Sequence, residues 1–309
     1  MRIYNRSAKL VVYTTDGSKT QVVDLSELDF DYTVTAKAPY RKDGKNHTTP
    51  IKAEVNVYKL NVQTRDKLIA EAAGIELQAG YDGETSVIFS GTIVNILPDY
   101  QAPDWVITLI ATDGWAEYNN SFFSRSYAAD TPVASILKDV AGSFAIPVVD
   151  RSGLSASLLT GTVFDGKSKM LMDRLARDYD LNWSIENNSI TITDALNPPL
   201  VDRAQAVILS DDLLNGPIIE ETTEGNKPAN KKVVRRIRAV AMLNAGLFPG
   251  VPVQFKAKSF ERSFSDADKE KVKSVDENSY FVCDEVTHRG SNWSPQNSTE
   301  VLTREENAQ

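Results

Sequence analysis

Residues 51–57 read IKAEVNV, with Ile51, Ala53, Val55 and Val57 on one parity and Lys52, Glu54 and Asn56 on the other. A strict period of two puts the apolar set on one face of a strand and the polar set on the other; a helix would scatter both round its axis. This stretch does not stand alone. KLVVYTT at 9–15 runs into the turn signal DGS, and IELQAGY, TSVIFSGTIVNI and WVITLIATDG follow, separated by polar or glycine-containing turns. One helix interrupts them, in LNVQTRDKLIAEAAG. Asn61 is its expected N-cap, Leu68, Ile69 and Ala72 its apolar stripe, and Gly74 its stop. APYRKDGKNHTTP at 38–50 is polar and rich in turn formers, which predicts a long loop. Residues 1–126 are therefore expected to be β-rich.

The period changes between 127 and 195. In TPVASILKDVAG, Thr131 is the expected N-cap, Pro132 the first helical residue, and Gly142 the stop. Val133, Ile136, Leu137 and Val140 fall at i, i+3, i+4 and i+7. SKMLMDRLARDYD predicts a second helix with Leu171, Met172, Leu175 and Tyr179 on one face and an Asp173–Arg177 pair. LNWSIENNSITITD predicts a hairpin: Leu181, Trp183 and Ile185 alternate, Asn187 and Asn188 turn the chain, and Ile190 and Ile192 alternate again. From 196 to 309 strands return, in FPGVPVQFKAK and SYFVCDEVTHRG, with a polar loop at 224–232 and a frayed polar end. The expected class is mainly β with α+β: two β-rich segments flanking a small α+β module.

Charge narrows the function classes. Thirty-four basic against 42 acidic residues give a net charge of −8, whereas nucleic-acid affinity rests on cations that meet phosphates. One cysteine, Cys283, forms no intrachain disulfide and no zinc cluster. The N-terminus MRIYNRSAKL lacks an apolar core of the signal-peptide kind, and VITLIA at 106–111 is too short to span a bilayer. Synthesis in the cytoplasm without membrane insertion by this chain is expected.

Several motifs offer chemistry. GTVFDGKS places Gly161, Gly166, Lys167 and Ser168 at phosphate-loop spacing. Such a loop curls backbone N–H groups round phosphate at a helix start and needs small residues inside it. Here Val163, Phe164 and Asp165 fill the interior, and too few strand–helix units follow to build a parallel sheet. A turn is expected instead, with Ser168 capping the next helix and Lys167 solvated. The two histidines, His47 and His288, are too few for most metal sites. Five positions separate Cys283 from His288, so a regular strand would point them to opposite faces. Cys283 is then a small buried or interfacial residue and His288 a surface residue at a strand end. Adjacent carboxylates such as Asp211–Asp212, Glu220–Glu221 and Asp284–Glu285 do not face each other across a glycosidic bond. No catalytic, cofactor-binding or metal-binding residue is assigned, no cofactor is expected, and the chain is expected not to be an enzyme. The cluster of Lys231, Lys232, Arg235, Arg236 and Arg238 marks either a partner interface or a solvated face.

Taken together, IKAEVNVYKLNVQTRDKLI, IELQAGYDGETSVIFSGTIVNI, DWVITLIATDGW, TPVASILKDVAG, DGKSKMLMDRLARDYDLNWSIENNSITIT and GLFPGVPVQF with YFVCDEVTHRGSNW resemble, in order, the central hub protein of contractile phage tail baseplates. That T4 hub-like family has relatives in tailocins and type VI secretion spikes. The resemblance implies a homotrimer in which each chain supplies two β-barrel-like tube domains, at 1–126 and 196–309, around an α+β domain at 127–195. Three copies then form a pseudo-sixfold ring joining the hexameric tail tube to the trimeric spike. It implies a structural virion protein of the tail baseplate, with itself, the tail tube protein and the spike protein as partners. DNA would pass through the channel without specific binding. It also implies that GKS is a helix-entry turn. The alternatives are a tail-associated cell-wall hydrolase, or the hub of a tailocin or type VI secretion-like machine.

Overall fold

The computed structural model describes residues 5–16, 19–38, 40–42, 45–47, 50–102, 104–186, 189–194, 206–210, 213–224, 232–256, 261–262, 279–293 and 297–305. The first strands are β1 (Arg6–Asp16), β2 (Lys19–Asp24), β3 (Phe30–Lys37), β4 (Tyr40–Lys42), β5 (Lys45–His47) and β6 (Lys52–Tyr58). Helix α1 (Val62–Glu71) precedes β7 (Ala72–Tyr81), β8 (Glu84–Gln101) and β9 (Asp104–Thr112). The middle holds α2 (Trp115–Asn120), β10 (Phe122–Tyr127), α3 (Val133–Gly142), β11 (Val148–Arg151), β12 (Thr162–Lys167), α4 (Ser168–Asp178), β13 (Leu181–Glu186) and β14 (Ser189–Asp194). Then come β15 (Val207–Leu209), β16 (Leu213–Glu224), β17 (Lys232–Met242), β18 (Pro252–Phe255), β19 (Glu261–Arg262), β20 (Tyr280–Ser291) and β21 (Ser298–Glu305). The protein is mainly β with a small helical part.

The period-two signal places side chains as expected. Ala53, Val55 and Val57 are fully buried, and β3 repeats the pattern with Phe30, Tyr32, Val34 and Ala36 inward. β7 and β8 meet through Asp82 and Gly83, both at positive φ, the geometry that a two-residue hairpin demands. The order β3-β6-β9-β8-β7-β1-β2 sets β3 and β2 six steps apart, about 29 Å on a flat sheet. The chain from Asp24 to Phe30 spans at most about 21 Å extended, and a bond from Leu28 N–H to the Leu25 carbonyl folds it into a turn. The sheet must therefore curl back on itself, and one apolar cluster from Leu10 to Ala111 fills the curl.

Asn61 caps α1 as expected, its Oδ1 accepting the Thr64 N–H at 2.8 Å. The expected stripe is narrower: Leu68 is buried, Ile69 is exposed, and Ala72 already opens β7, so Gly74 lies in a strand. The reason is that the helix lies against β1 and β7 and runs into β7 with no linker. The expected loop at 38–50 contains a small hairpin, with Tyr40 opposite His47. Antiparallel pairing satisfies backbone groups that a bare loop would leave to water.

In the middle segment, Val133, Ile136, Leu137 and Val140 are all buried. Pro132, not Thr131, occupies the N-cap, and Thr131 Oγ1 donates to the Ala128 carbonyl. Gly142 is the last helical residue, and Ser143 forms the C-cap. On α4, Leu171, Met172, Leu175 and Ala176 face inward, while Tyr179 stands at the C-cap. Asp173 Oδ1 accepts the Trp183 indole N–H at 2.9 Å, and Arg177 pairs with Asp178 at 3.1 Å. The hairpin pairs Leu181 with Asp194 and Ile185 with Ile190; its turn at 187–188 lies outside the described residues. Trp183 stacks on Tyr118 and tilts against Phe144 at the centre of this cluster. Phe123 and Tyr127 of β10 pack there as well.

The third cluster runs from Leu209 to Val301. Strand β20 joins it to the first. One edge of β20 pairs with β21 along its length; the other pairs with β18 at 280–282 and with β3 at 285–291. The handover sits at Asp284, where the register against β21 slips by one residue. One hydrogen-bonded path of strands thus links the chain's two β-rich segments. The expected frayed end is not frayed at 302–305, because Leu302–Glu305 belong to β21 between β17 and β20. Residues 225–231 of the expected polar loop lie outside the described residues.

Candidate assembly surface

The basic cluster lies on β17, but Lys231 falls outside the described residues, as do the side chains of Lys232 and Arg235. The register sets Lys232 opposite Glu224, Arg235 opposite Glu221 and Arg236 opposite Glu220 on β16. Arg236 also stands opposite Arg304 on β21. Arg238 points out of the sheet between two carboxylates. Its Nε is 3.1 Å from Glu220 Oε1, and its Nη1 is 3.0 Å from Glu300 Oε1. These partners raise its pKa.

The same carboxylate reaches further. Glu300 Oε2 takes Arg289 Nη1 of β20 at 3.0 Å. Arg304 Nε meets Asp284 Oδ1 at 3.1 Å, and Lys37 of β3 meets Glu285 at 2.9 Å. Lys37 and Glu285 are directly opposite, whereas the Glu300 contact to Arg289 is diagonal: Glu300 stands opposite Thr287, and Arg289 is two residues along the same face. A polar groove lined by Arg238, Glu285, Thr287, Arg289, Glu300 and Leu302 follows. Beyond it, Asn56 Nδ2 donates to Asp31 Oδ1 at 2.8 Å, and Thr108 Oγ1 donates to Asn56 Oδ1 at 2.7 Å. Cross-strand alternation of sign is legible in sequence only once the strand order is known.

The remaining sequence candidates resolve without chemistry. GTVFDG is a strand, not a turn: Thr162–Lys167 pairs antiparallel with Phe122–Tyr127, so its backbone N–H groups serve a ladder. Ser168 is not the cap. Lys167 holds that position without a side-chain bond, and Ser168 is buried with its Oγ 2.7 Å from Ser143 Oγ. Lys167 is exposed, as expected.

His288 is not at the surface. It is 6% exposed, its Nδ1 lies 2.9 Å from Thr299 Oγ1, and burial pushes its pKa down to about 4. The slip at Asp284 also overturns the parity argument. Cys283 stands opposite Thr303 and His288 opposite Thr299, both buried on one face of β21. The pair therefore shares a face, yet four residues of β21 separate the two, about 14 Å, so neither reaches the other's proton. Burial pushes the Cys283 thiol up to about 12, which leaves it protonated and unreactive. The side chain of His47 lies outside the described residues. Among the described residues, no three His, Cys, Asp or Glu side chains converge on a metal position, and no helix is long and apolar enough to cross a membrane.

No protein-family model matches the chain, and no curated protein matches it. Solved structures do. The 43 kDa tail protein of prophage MuSo2 from Shewanella oneidensis superposes with a TM-score of 0.58 at 11% identity, covering 96% of each chain. The tail protein of Neisseria meningitidis MC58 gives 0.55 at 12% identity, over 98% of this chain and 97% of that one. The E. coli c3393 protein gives 0.53 at 10% identity, over 91% and 74%. It is described as a type VI secretion component similar in structure to the T4 tail proteins gp27 and gp5. The fold is that of phage tail and type VI spike-related proteins.

Proposed function

We propose that this chain is a structural protein of a contractile tail, a homotrimeric baseplate hub joining the hexameric tail tube to the trimeric spike. The observation that carries it is end-to-end likeness of fold to two tail proteins, over at least 96% of both chains. In this proposal residues 1–126 and 196–309 are tube-like lobes and 127–195 an accessory domain. The six-membered tube is met by three copies of a two-lobed chain. The basic start of β17 at Lys232 and Arg235, away from Arg238, belongs to the contact with a partner. The protein sits in the virion tail, is made in the bacterial cytoplasm, and lets DNA pass without specific binding. Its part is scaffolding rather than catalysis: its buried histidine and cysteine are inert at neutral pH, and Arg238, Arg289 and Arg304 are tied to carboxylates. The open end of the sheet at β2, whose residues are largely exposed, is the kind of edge that assembly covers.

Light scattering behind size exclusion, with the tube and spike proteins present, is expected to give three copies per particle. Electron microscopy is expected to show a three-fold ring with six lobes. A persistent monomer under those conditions refutes the hub. A type VI secretion-like machine is the second setting, favoured by the likeness to the E. coli component. A cell-wall hydrolase predicts peptidoglycan release that one Asp or Glu substitution abolishes.

A further inference from the structure

We propose that Glu220 and Glu300 act as built-in competitors for phosphate, occupying Arg238 and Arg289 so that the outward face of β17, β21 and β20 does not grip a polyanion. The geometry is that of an occupied anion site. Two guanidinium groups, on the strands either side of β21, converge on the single Glu300 carboxylate, one on each oxygen, and Glu220 takes the Nε of Arg238. The cations stand further out than their partners. Arg238 is 44% and Arg289 57% exposed, against 33% for Glu220 and 26% for Glu300. Arg304 with Asp284 and Lys37 with Glu285 repeat the arrangement.

Freed, such arginines would form a phosphate-binding row, because a guanidinium fork matches phosphate as well as carboxylate. A carboxylate fixed on the next strand competes at high effective concentration and loses no translational freedom on pairing. An arriving phosphate must displace it and leave a carboxylate beside the polyanion. The source of the polyanion, DNA threading past the protein, rests on the hub proposed above. The masking itself does not.

The test uses the full chain and a short fluorescein-labelled duplex DNA, titrated by anisotropy. Glu220→Gln/Glu300→Gln is expected to bind at least about tenfold tighter than wild type near 50 mM salt. Its slope of log affinity against log salt is expected to steepen by about 2, one unit per unmasked arginine. Glu27→Gln/Glu84→Gln changes net charge equally at exposed positions outside the ladder, and is expected to shift affinity far less. Adding Arg238→Gln and Arg289→Gln to the first variant is expected to restore wild-type behaviour. Glu300→Gln alone, the milder change, is expected to give an intermediate gain. Equal gains in the ladder and control variants overturn the proposal. So does a ladder variant with wild-type circular dichroism and no gain, or a wild-type chain that already binds as tightly. Trimer formation is read separately by light scattering, so failure of masking and failure of the hub are distinguishable.

Discussion

His288 makes folding stability depend on pH in a way that can be worked out from its contacts. It lies on β20 where that strand meets β3, opposite Val34 on one side and Thr299 on the other. Thr299 Oγ1 accepts the Asn244 N–H at 3.0 Å and lies 2.9 Å from His288 Nδ1. Burial disfavours the charged ring and outweighs the opposing backbone hydrogen bond at Leu247. Charging a ring this deeply buried costs free energy, so the folded state holds it neutral. The folded pKa of about 4 lies below the ordinary 6.5. The unfolded chain therefore takes up the proton first, and stability is lost as pH falls from about 6.5 towards about 4. The loss is about 1.4 kcal/mol at pH about 5.5 and about 2.5 kcal/mol at pH about 4.5. Carboxylates add their own acid dependence, but it cancels between wild type and His288→Gln. Urea unfolding followed by tryptophan fluorescence is expected to show the stability gap between the two shrinking by those amounts. With two histidines in the chain, the ring resonances can also be titrated directly. A gap constant to within about 0.5 kcal/mol across that range, or a His288 resonance titrating near 6.5, refutes the reasoning.

Three further outcomes can be checked by thermal or chemical denaturation. Gly290→Ala places a Cβ 2.5 Å from the Tyr32 hydroxyl and against Asn297 Oδ1, which is held by the Ser291 N–H. It is expected to destabilise by about 2–3 kcal/mol. Asn61→Ala removes the cap of α1 and is expected to cost about 1 kcal/mol. Ala145 is held at φ +57 just past α3, so Ala145→Gly relieves left-handed strain and is expected to stabilise by about 0.5–1 kcal/mol; a destabilised variant would contradict that.

Local pattern carried far. The apolar faces of β6, α3 and the β13–β14 hairpin are where alternation and i, i+3, i+4 spacing put them, because burial on one face is written into those few residues. FDYTVTAK of β3 carries the same alternation, but nothing in it says where the strand sits in the sheet. That its outer edge takes β20, more than two hundred residues away, depends on which edges meet after the sheet curls. Helix ends missed by one residue at Pro132 and Ser143, since several nearby groups compete for the same backbone bonds. Thus the chain's own order determined the buried faces of β6, α3, α4 and the β13–β14 hairpin. Only the tertiary structure decided that His288 lies inside, that it shares a face with Cys283, and that Glu300 stands between two arginines. The physical reason is that one extra residue at Asp284 reverses every parity beyond it, and cross-strand neighbours are set by register, which no stretch of sequence carries alone.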